Sequence, residues 1–265
     1  MAEMVSADLF DLPPSLLSWL PGETLFSLVS RQHAFWGYPR AGETARILFG
    51  HRQAGTHHDF PNALDDFVAR TSGVLGQPGE LALSRTLLSY YRPFSPESLI
   101  SDCMAMMRGK SVNHLKYRLG LLTSRFRANH PLKACTACIE HDLSDTGWAY
   151  WHLEHQYPGV WFCKQHGESL HEATVKSTGV NRFLWSLPDR RNLTLDWLQD
   201  SADAEALKKL TSMTLQLLRA SRSPGWLDGA HMVPVLREAI RRHGWLTPNG
   251  NLRVAVQVDV LPAQR

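Results

Sequence analysis

The chain has 265 residues, 43% of them apolar and 20% charged, with a net charge of +3. This composition suits a globular chain that builds a core without disulfides, and no run reaches the roughly 20 apolar residues of a membrane-spanning helix. The N-terminus carries Glu3, Asp8 and Asp11 with no base before Pro14, the wrong charge for a secretory signal or transit peptide. The expectation is therefore an intracellular, cytoplasmic protein whose four cysteines are free thiols or metal ligands.

In chain order, residues 1–20, interrupted by Pro13-Pro14, read as a flexible arm. Residues 21–131 read as a helical domain, a string of short helices with tight breaks. After the Pro21-Gly22 turn, Glu23 and Thr24 suit a first helical turn. Leu25, Phe26, Leu28 and Val29 supply an apolar stripe, which Gly37 and Pro39 stop. A second short helix fits between Gly42 and Gly50. A third takes Asn62 as its N-cap, with Leu64, Phe67 and Val68 as its apolar positions. "ELALSRTLLSYY" reads as one helix up to Arg92, because Pro93 disfavours helix at the residue before it. The next helix has Ser95 as N-cap, Pro96 in first position and Gly109 as its stop. A last short one ends at Gly120.

Residues 132–172 break this pattern. Their turn residues and aromatics predict short strands and knuckle turns. Residues 173–265 form a basic segment, with helices expected over 194–200, 203–220 and 231–244. An alternating strand is expected at Leu252, Val254, Val256 and Val258. The fold class expected is mainly α. It comprises a helix-turn-helix-like N-terminal body, a small Cys3His zinc-ribbon-like unit and a short helical C-terminal segment.

Cys135-x2-Cys138 and Cys163-x2-His166 lie 24 residues apart. A C-x2-C or C-x2-H knuckle brings two donors to one ion, with sulfur at about 2.3 Å, and two knuckles complete a Cys3His set. Such a set closes a tetrahedron around one structural Zn2+ and leaves no position for substrate. His141, His152 and His155 are spare ligand candidates between the knuckles. Cys103, beside Met104, Met106 and Met107, reads as a buried free thiol. Trp148, Trp151, Trp161 and Phe162 are read as packing that docks the unit on the helical body.

The charge is unevenly spread: residues 1–175 carry a net −2 and residues 176–265 a net +5. Between Cys103 and Ile139 stand Arg108, Lys110, Lys116, Arg118, Arg125, Arg127 and Lys133 without a single acid. A one-sign run leading into a metal unit suggests a polyanion partner, although a solvated basic face has the same signature. A recognition helix is expected over 231–243, with Arg237, Arg241 and Arg242 near one face.

The stretch "WAYWHLEHQYPGVWFCKQHGESL" closely resembles the signature of the TniQ/TnsD family of transposition target-selection proteins. The matching residues are Tyr150, Trp151, His155, Gln156, Pro158, Gly159, Val160, Cys163, His166, Gly167 and Leu170. "PGETLFSLVSR", "TLLSYYRPF", "LGLLTSRFR" and "LKACTAC" are similar to further family segments, those of the TnsD branch above all, so the resemblance spans about residues 20–172. The resemblance implies a non-enzymatic adaptor that binds double-stranded DNA and recruits an AAA+ transposition regulator of the TnsC/TniB kind. The family works in bacteria and on the nucleoid, takes its target by direct reading or from a CRISPR effector complex, and includes homodimers. Two departures stand out: no cysteine follows Cys163, and only about 90 residues follow the metal unit, where the TnsD branch has long DNA-binding domains.

Two other readings compete. A zinc deaminase needs H-x-E ahead of P-C-x-x-C and an open zinc position. Here His152-Leu153-Glu154 follows the C-x-x-C, and Ala134 replaces the proline. A general nucleic-acid-binding zinc module would have no need of "YWHLEHQYPGV". No P-loop or nucleophile elbow is present.

Overall fold

Thr24 opens the first helix: its Oγ1 accepts from the Ser27 N–H at 3.1 Å, satisfying one of the free donors at the helix start. α1 (Leu25–Trp36) then runs to Gly37, whose φ of 67° closes it in the left-handed region that glycine occupies without strain. The computed structural model describes residues 15–122, 130–175, 183–194, 203–223 and 229–251. Six more helices build the N-terminal body: α2 (Ala41–Phe49), α3 (Leu64–Arg70), α4 (Pro78–Ser84), α5 (Leu88–Tyr91), α6 (Glu97–Arg108) and α7 (Leu115–Arg118). Their inward residues, among them Leu25, Leu28, Phe49, Leu64, Phe67, Leu88 and Ile100, form one buried core. The Phe49 and Phe67 rings stack at 5.0 Å where α2 meets α3.

The second part begins with a two-residue strand. β1 (Lys133–Ala134) pairs antiparallel with β2 (His171–Glu172), in the register Lys133↔Glu172 and Ala134↔His171. Between them lie α8 (Thr136–Thr146) and α9 (Leu153–Gln156). Residues 183–194 fold back over the N-terminal body. Trp185 donates to Ala41 O at 2.9 Å and sets its ring 5.4 Å from Phe26. α10 (Ala204–Ala220) and α11 (Gly229–Arg242) complete the described elements. α11 starts against Phe94 and Ser95 so closely that a Cβ at Gly229 would lie 2.1 Å from the Ser95 nitrogen. No described helix is long and apolar enough to cross a membrane.

The architecture is mainly helical, as expected, and the structure differs from the expectation in five places. α6 starts at Glu97 with Pro96, not Ser95, in the cap position. Residues 15–20, expected in the flexible arm, are anchored. Leu17 N–H donates to Gln32 Oε1 at 2.8 Å, and Trp19 Nε1 donates to Leu75 O at 2.9 Å. Asn62 does not cap α3. Its amide instead accepts from Gly55 N–H at 2.9 Å and donates to Lys110 O at 2.7 Å, and Ala63, at φ 61°, takes the cap position. The helix expected through 80–91 breaks into α4 and α5, because tertiary partners claim its backbone. Arg85 O accepts from Leu25 N–H at 2.9 Å, and Leu87 N–H donates to Asp59 O at 3.2 Å. Finally, the unit expected to hold only strands and turns contains α8. The helix expected over 194–200 lies outside the described residues from 195 on, as does the strand at 252–258.

Two buried charge clusters hold the body together. Glu23 and Arg31 are 0% and 2% exposed. Arg31 Nε donates to Glu23 Oε1 at 2.7 Å and its Nη2 to Oε2 at 2.6 Å. Leu20 N–H also donates to Glu23 Oε2, and Arg31 Nη2 also donates to Ser18 O. In the second cluster, Asp59 accepts from His130 Nδ1 at 2.9 Å and from Lys116 Nζ at 2.6 Å. Tyr91 OH lies 2.7 Å from His130 Nε2. Burial pushes the Asp59 carboxyl up, but the His130 hydrogen bond and the pull of His58 and Lys116 outweigh it, and it rests well below the usual carboxylate range.

Two stability measurements follow from these clusters. Glu23→Gln leaves a buried guanidinium without its counter-charge and is expected to cost about 3–5 kcal/mol in urea unfolding; a loss below about 1 kcal/mol would mean that water reaches the pair. Because the folded-state pKa of Asp59 is lowered, its contribution is complete above the ordinary carboxylate range. It is lost as pH falls through the lower folded value. The gap in urea midpoint between the unmodified chain and Asp59→Asn is thus expected to be widest near neutral pH and to close under acid. A gap independent of pH would refute this.

Candidate metal centre

Each half of the site comes from a local fold. Cys135 is the N-cap of α8 and Cys138 lies in its first turn, so the C-x-x-C is the start of a helix. The positive end of the helix dipole favours thiolate there. The other half is a hairpin turn. Cys163 N–H donates to Glu168 O at 2.7 Å, and Gly167 N–H donates to Cys163 O at 2.8 Å. Gly167, at φ 69°, provides the left-handed residue that reverses the chain. β1–β2 pairing sets the two halves side by side, since β1 ends at Ala134, immediately before Cys135, and β2 begins just after the hairpin.

The result is one group of four donors. Cys135, Cys138, Cys163 and His166 present ligand atoms that all lie within 4.8 Å of one another. His166 Nδ1 is 3.5 Å from Cys135 Sγ, 3.3 Å from Cys138 Sγ and 3.6 Å from Cys163 Sγ, and the Cys138 and Cys163 sulfurs are 3.6 Å apart. A tetrahedron with sulfur at about 2.3 Å and nitrogen at about 2.0 Å has edges of about 3.8 Å (S–S) and about 3.5 Å (S–N), so the donors fit a tetrahedral ion. The three thiols also constrain one another. Cys135 and Cys163 push the Cys138 thiol up, while hydrogen bonds from Cys135 and Cys138 pull Cys163 down. The group by itself accommodates one negative charge readily, and a bound cation would favour three.

The spare histidines have other positions. His141 is exposed on α8. His152 Nε2 lies 2.7 Å from Asp142 Oδ2. His155 is buried and hydrogen-bonded to Cys163, and burial lowers its pKa. It therefore supports a ligand from behind, as outer partners of metal sites do. Gln156 acts as a one-residue strand: its Oε1 accepts from Lys133 N–H and its Nε2 donates to Lys133 O, both at 2.9 Å. Cys103 is a separate buried free thiol, which burial pushes up to about 11.

The expected basic run does not form one surface. Lys133 is 3% exposed. Its Nζ donates to Tyr157 O at 2.8 Å and Val160 O at 2.5 Å, and burial lowers its pKa to about 7. It is a structural lysine, out of reach of any phosphate. Lys116 binds the buried Asp59. Arg108 pairs with Asp65 at 2.8 Å, and Arg118 pairs with Asp102. Lys110 is exposed, and Arg125 and Arg127 lie outside the described residues. The acids that a linear reading does not find near this run come from residues 59–102. The expected recognition helix is α11. It exposes Arg237, yet Arg241 and Arg242 both bind Glu238, at 2.6 and 3.2 Å, and the same helix exposes Val235 and Leu236.

A helical body carrying a four-donor metal unit at its edge defines the class of protein. The TniQ family model matches residues 14–170, which is that body together with that unit. The chain belongs to the TniQ family. It is also 22% identical over 203 residues to the transposon Tn7 transposition protein TnsD of Escherichia coli, a match covering 76% of this chain and 39% of that protein. The chain thus spans about two fifths of the relative's length.

Sequence reasoning missed the roles of Asp59 with His130, and of Gln156. Their partners lie 71 and 23 residues away, and no local spacing signals such a pair. Cys135→Ser or His166→Ala is expected to lower the bound divalent metal from about one equivalent and to reduce the melting temperature. Metal analysis and calorimetry check this; full metal content with native melting in both variants would refute the four-donor site.

Proposed function

We propose that this chain is a transposon target-selection adaptor, not an enzyme. In this reading it contacts double-stranded DNA and recruits an AAA+ transposition regulator, while one structural Zn2+ holds its platform together. The observation that carries the reading is the extent of the family match: residues 14–170 comprise the helical body and the metal unit as one connected body. The similarity to a Tn7 transposition protein supports transposition as the process.

The site chemistry supports a structural ion. Three thiolates and an imidazole are a zinc set, and four protein donors close the tetrahedron without room for a reacting water. His152 and Glu154, the H-x-E of the competing enzyme reading, do not rescue it, since His152 is taken up by Asp142. The platform would act at the nucleoid. Either direct contact or a CRISPR effector complex would bring it to its target, as a single chain or a homodimer.

Pull-down of the tagged chain with a candidate AAA+ transposition regulator and transposase, with and without duplex DNA, tests this reading. Enrichment of the regulator is expected, and more of it when DNA is present. No enrichment in any combination would overturn the adaptor role.

A further inference from the structure

The cations of the basic run are largely paired or buried; a second set lines a groove beside the metal turn. The Cys163–His166 turn and α10 enclose a groove of about 540 Å3. Lys164 stands on the turn, and Lys208, Ser212, Gln216 and Arg219 line the groove from the helix; among the described residues no carboxylate lines it. The four helix residues follow one another at intervals of four, four and three, so they share one face. At about 1.5 Å per residue, Lys208 and Arg219 are some 16 Å apart along α10. Lys164 and Arg219 are exposed, and neither has a carboxylate partner among the described residues. Lys208 pairs with exposed Glu205 at 2.8 Å and sits 5.5 Å from the Phe162 ring.

The two walls are fixed to each other. Trp161 N–H donates to Thr211 Oγ1 at 2.9 Å, and Phe162 buries with Leu207. Gly159 meets α10 so closely that a Cβ would lie 2.4 Å from Thr214 Oγ1. The groove is therefore a standing feature of the metal unit, with cations on both sides and hydroxyl and amide donors between them.

We propose that this groove grips the sugar–phosphate backbone of duplex DNA, with Lys164, Lys208 and Arg219 each neutralising one phosphate. The inference rests on the reading that the chain contacts DNA, and it moves that contact from residues 108–133 to the metal turn and α10. Charge complementarity selects the occupant: cations face the groove from both walls, and no acid among the described residues lies between them. The contact carries no base information. It sets the orientation of the chain on DNA and leaves target choice to another surface.

The test is anisotropy of a labelled duplex of arbitrary sequence, titrated with the full chain over a range of salt. Each phosphate contact contributes about 0.9 to the slope of log K against log salt. The triple variant K164Q/K208Q/R219Q is expected to flatten that slope by about 2.7, and Lys164→Gln alone by about 0.9. The charge-keeping variant K164R/K208R/R219K is expected to retain it. An unchanged slope in both Gln variants, with the unmodified chain binding normally, overturns the groove proposal and leaves the DNA reading standing. Failure of the unmodified chain to bind duplex at low salt overturns both. Tighter binding of polyglutamate than of duplex, abolished in the triple variant, would assign the groove to an acidic protein segment and also overturn the proposal.

Discussion

Two backbone hydrogen bonds connect the beginning of the helical body to the metal unit. Thr24 N–H donates to Trp151 O at 3.1 Å, and Leu153 N–H donates to Gly22 O at 2.7 Å, with Glu23 bridged to His152 between them. Ser27 Oγ adds a third bond by accepting from Trp151 N–H at 2.9 Å. This short ladder closes a loop of well over a hundred residues, so its ordering cost is large, and two bonds alone would not hold it. What holds it is the burial around it. Trp151 is 1% exposed and anchors residues 183–194 through its Nε1 bond to Ser186 O. Glu23 sits at the centre of the ladder with its charge buried, which is tolerable only because Arg31 and Leu20 N–H supply the donors that water would have given. The ladder, the ion pair and the tryptophan therefore stand together.

The metal group matters for the same reason. The stretch over 132–172 has a two-stranded pairing of two residues each and two helices, α8 and the four-residue α9, too little to fix its own shape. Four donors on one ion would lock the start of α8 to the hairpin turn at 163–167. That lock also fixes Lys164 and the Trp161–Phe162 edge on which α10 rests. A structural ion can thus set the geometry of a charged surface without touching what binds there.

The sequence was most readable where function depends on local spacing. The cysteine and histidine knuckles need only four consecutive residues each, and all four expected ligands come together. Helices bounded by glycine, such as α1 and α2, were equally legible. Legibility failed where a distant partner decided the outcome. "TACIEHDLSDT" has few apolar residues and weak helix formers, so nothing local predicts α8; its helix is fixed by burial of Cys138, Ile139 and Asp142 against the rest of the unit. Asn62 is a good cap by type, but Gly55 and Lys110 claim its amide. The basic run looked like one surface because its acids, Asp59, Asp65 and Asp102, lie in earlier segments.

The family signature itself is mostly interior. Tyr150, Trp151, His155, Gln156 and Val160 are all buried, and each makes a contact that the fold needs. Residues placed this way are constrained by packing and hydrogen bonding, whatever the protein binds. They identify the scaffold and say little about the target. Recognition has to come from exposed side chains held by that scaffold, and these are under no such packing constraint. The separation has a physical advantage. A scaffold whose ion pair, ladder and metal ligands are internal can change its surface charges one at a time, since exposed substitutions away from such features usually cost under about 0.5 kcal/mol. One buried frame can then carry different surfaces without losing its fold.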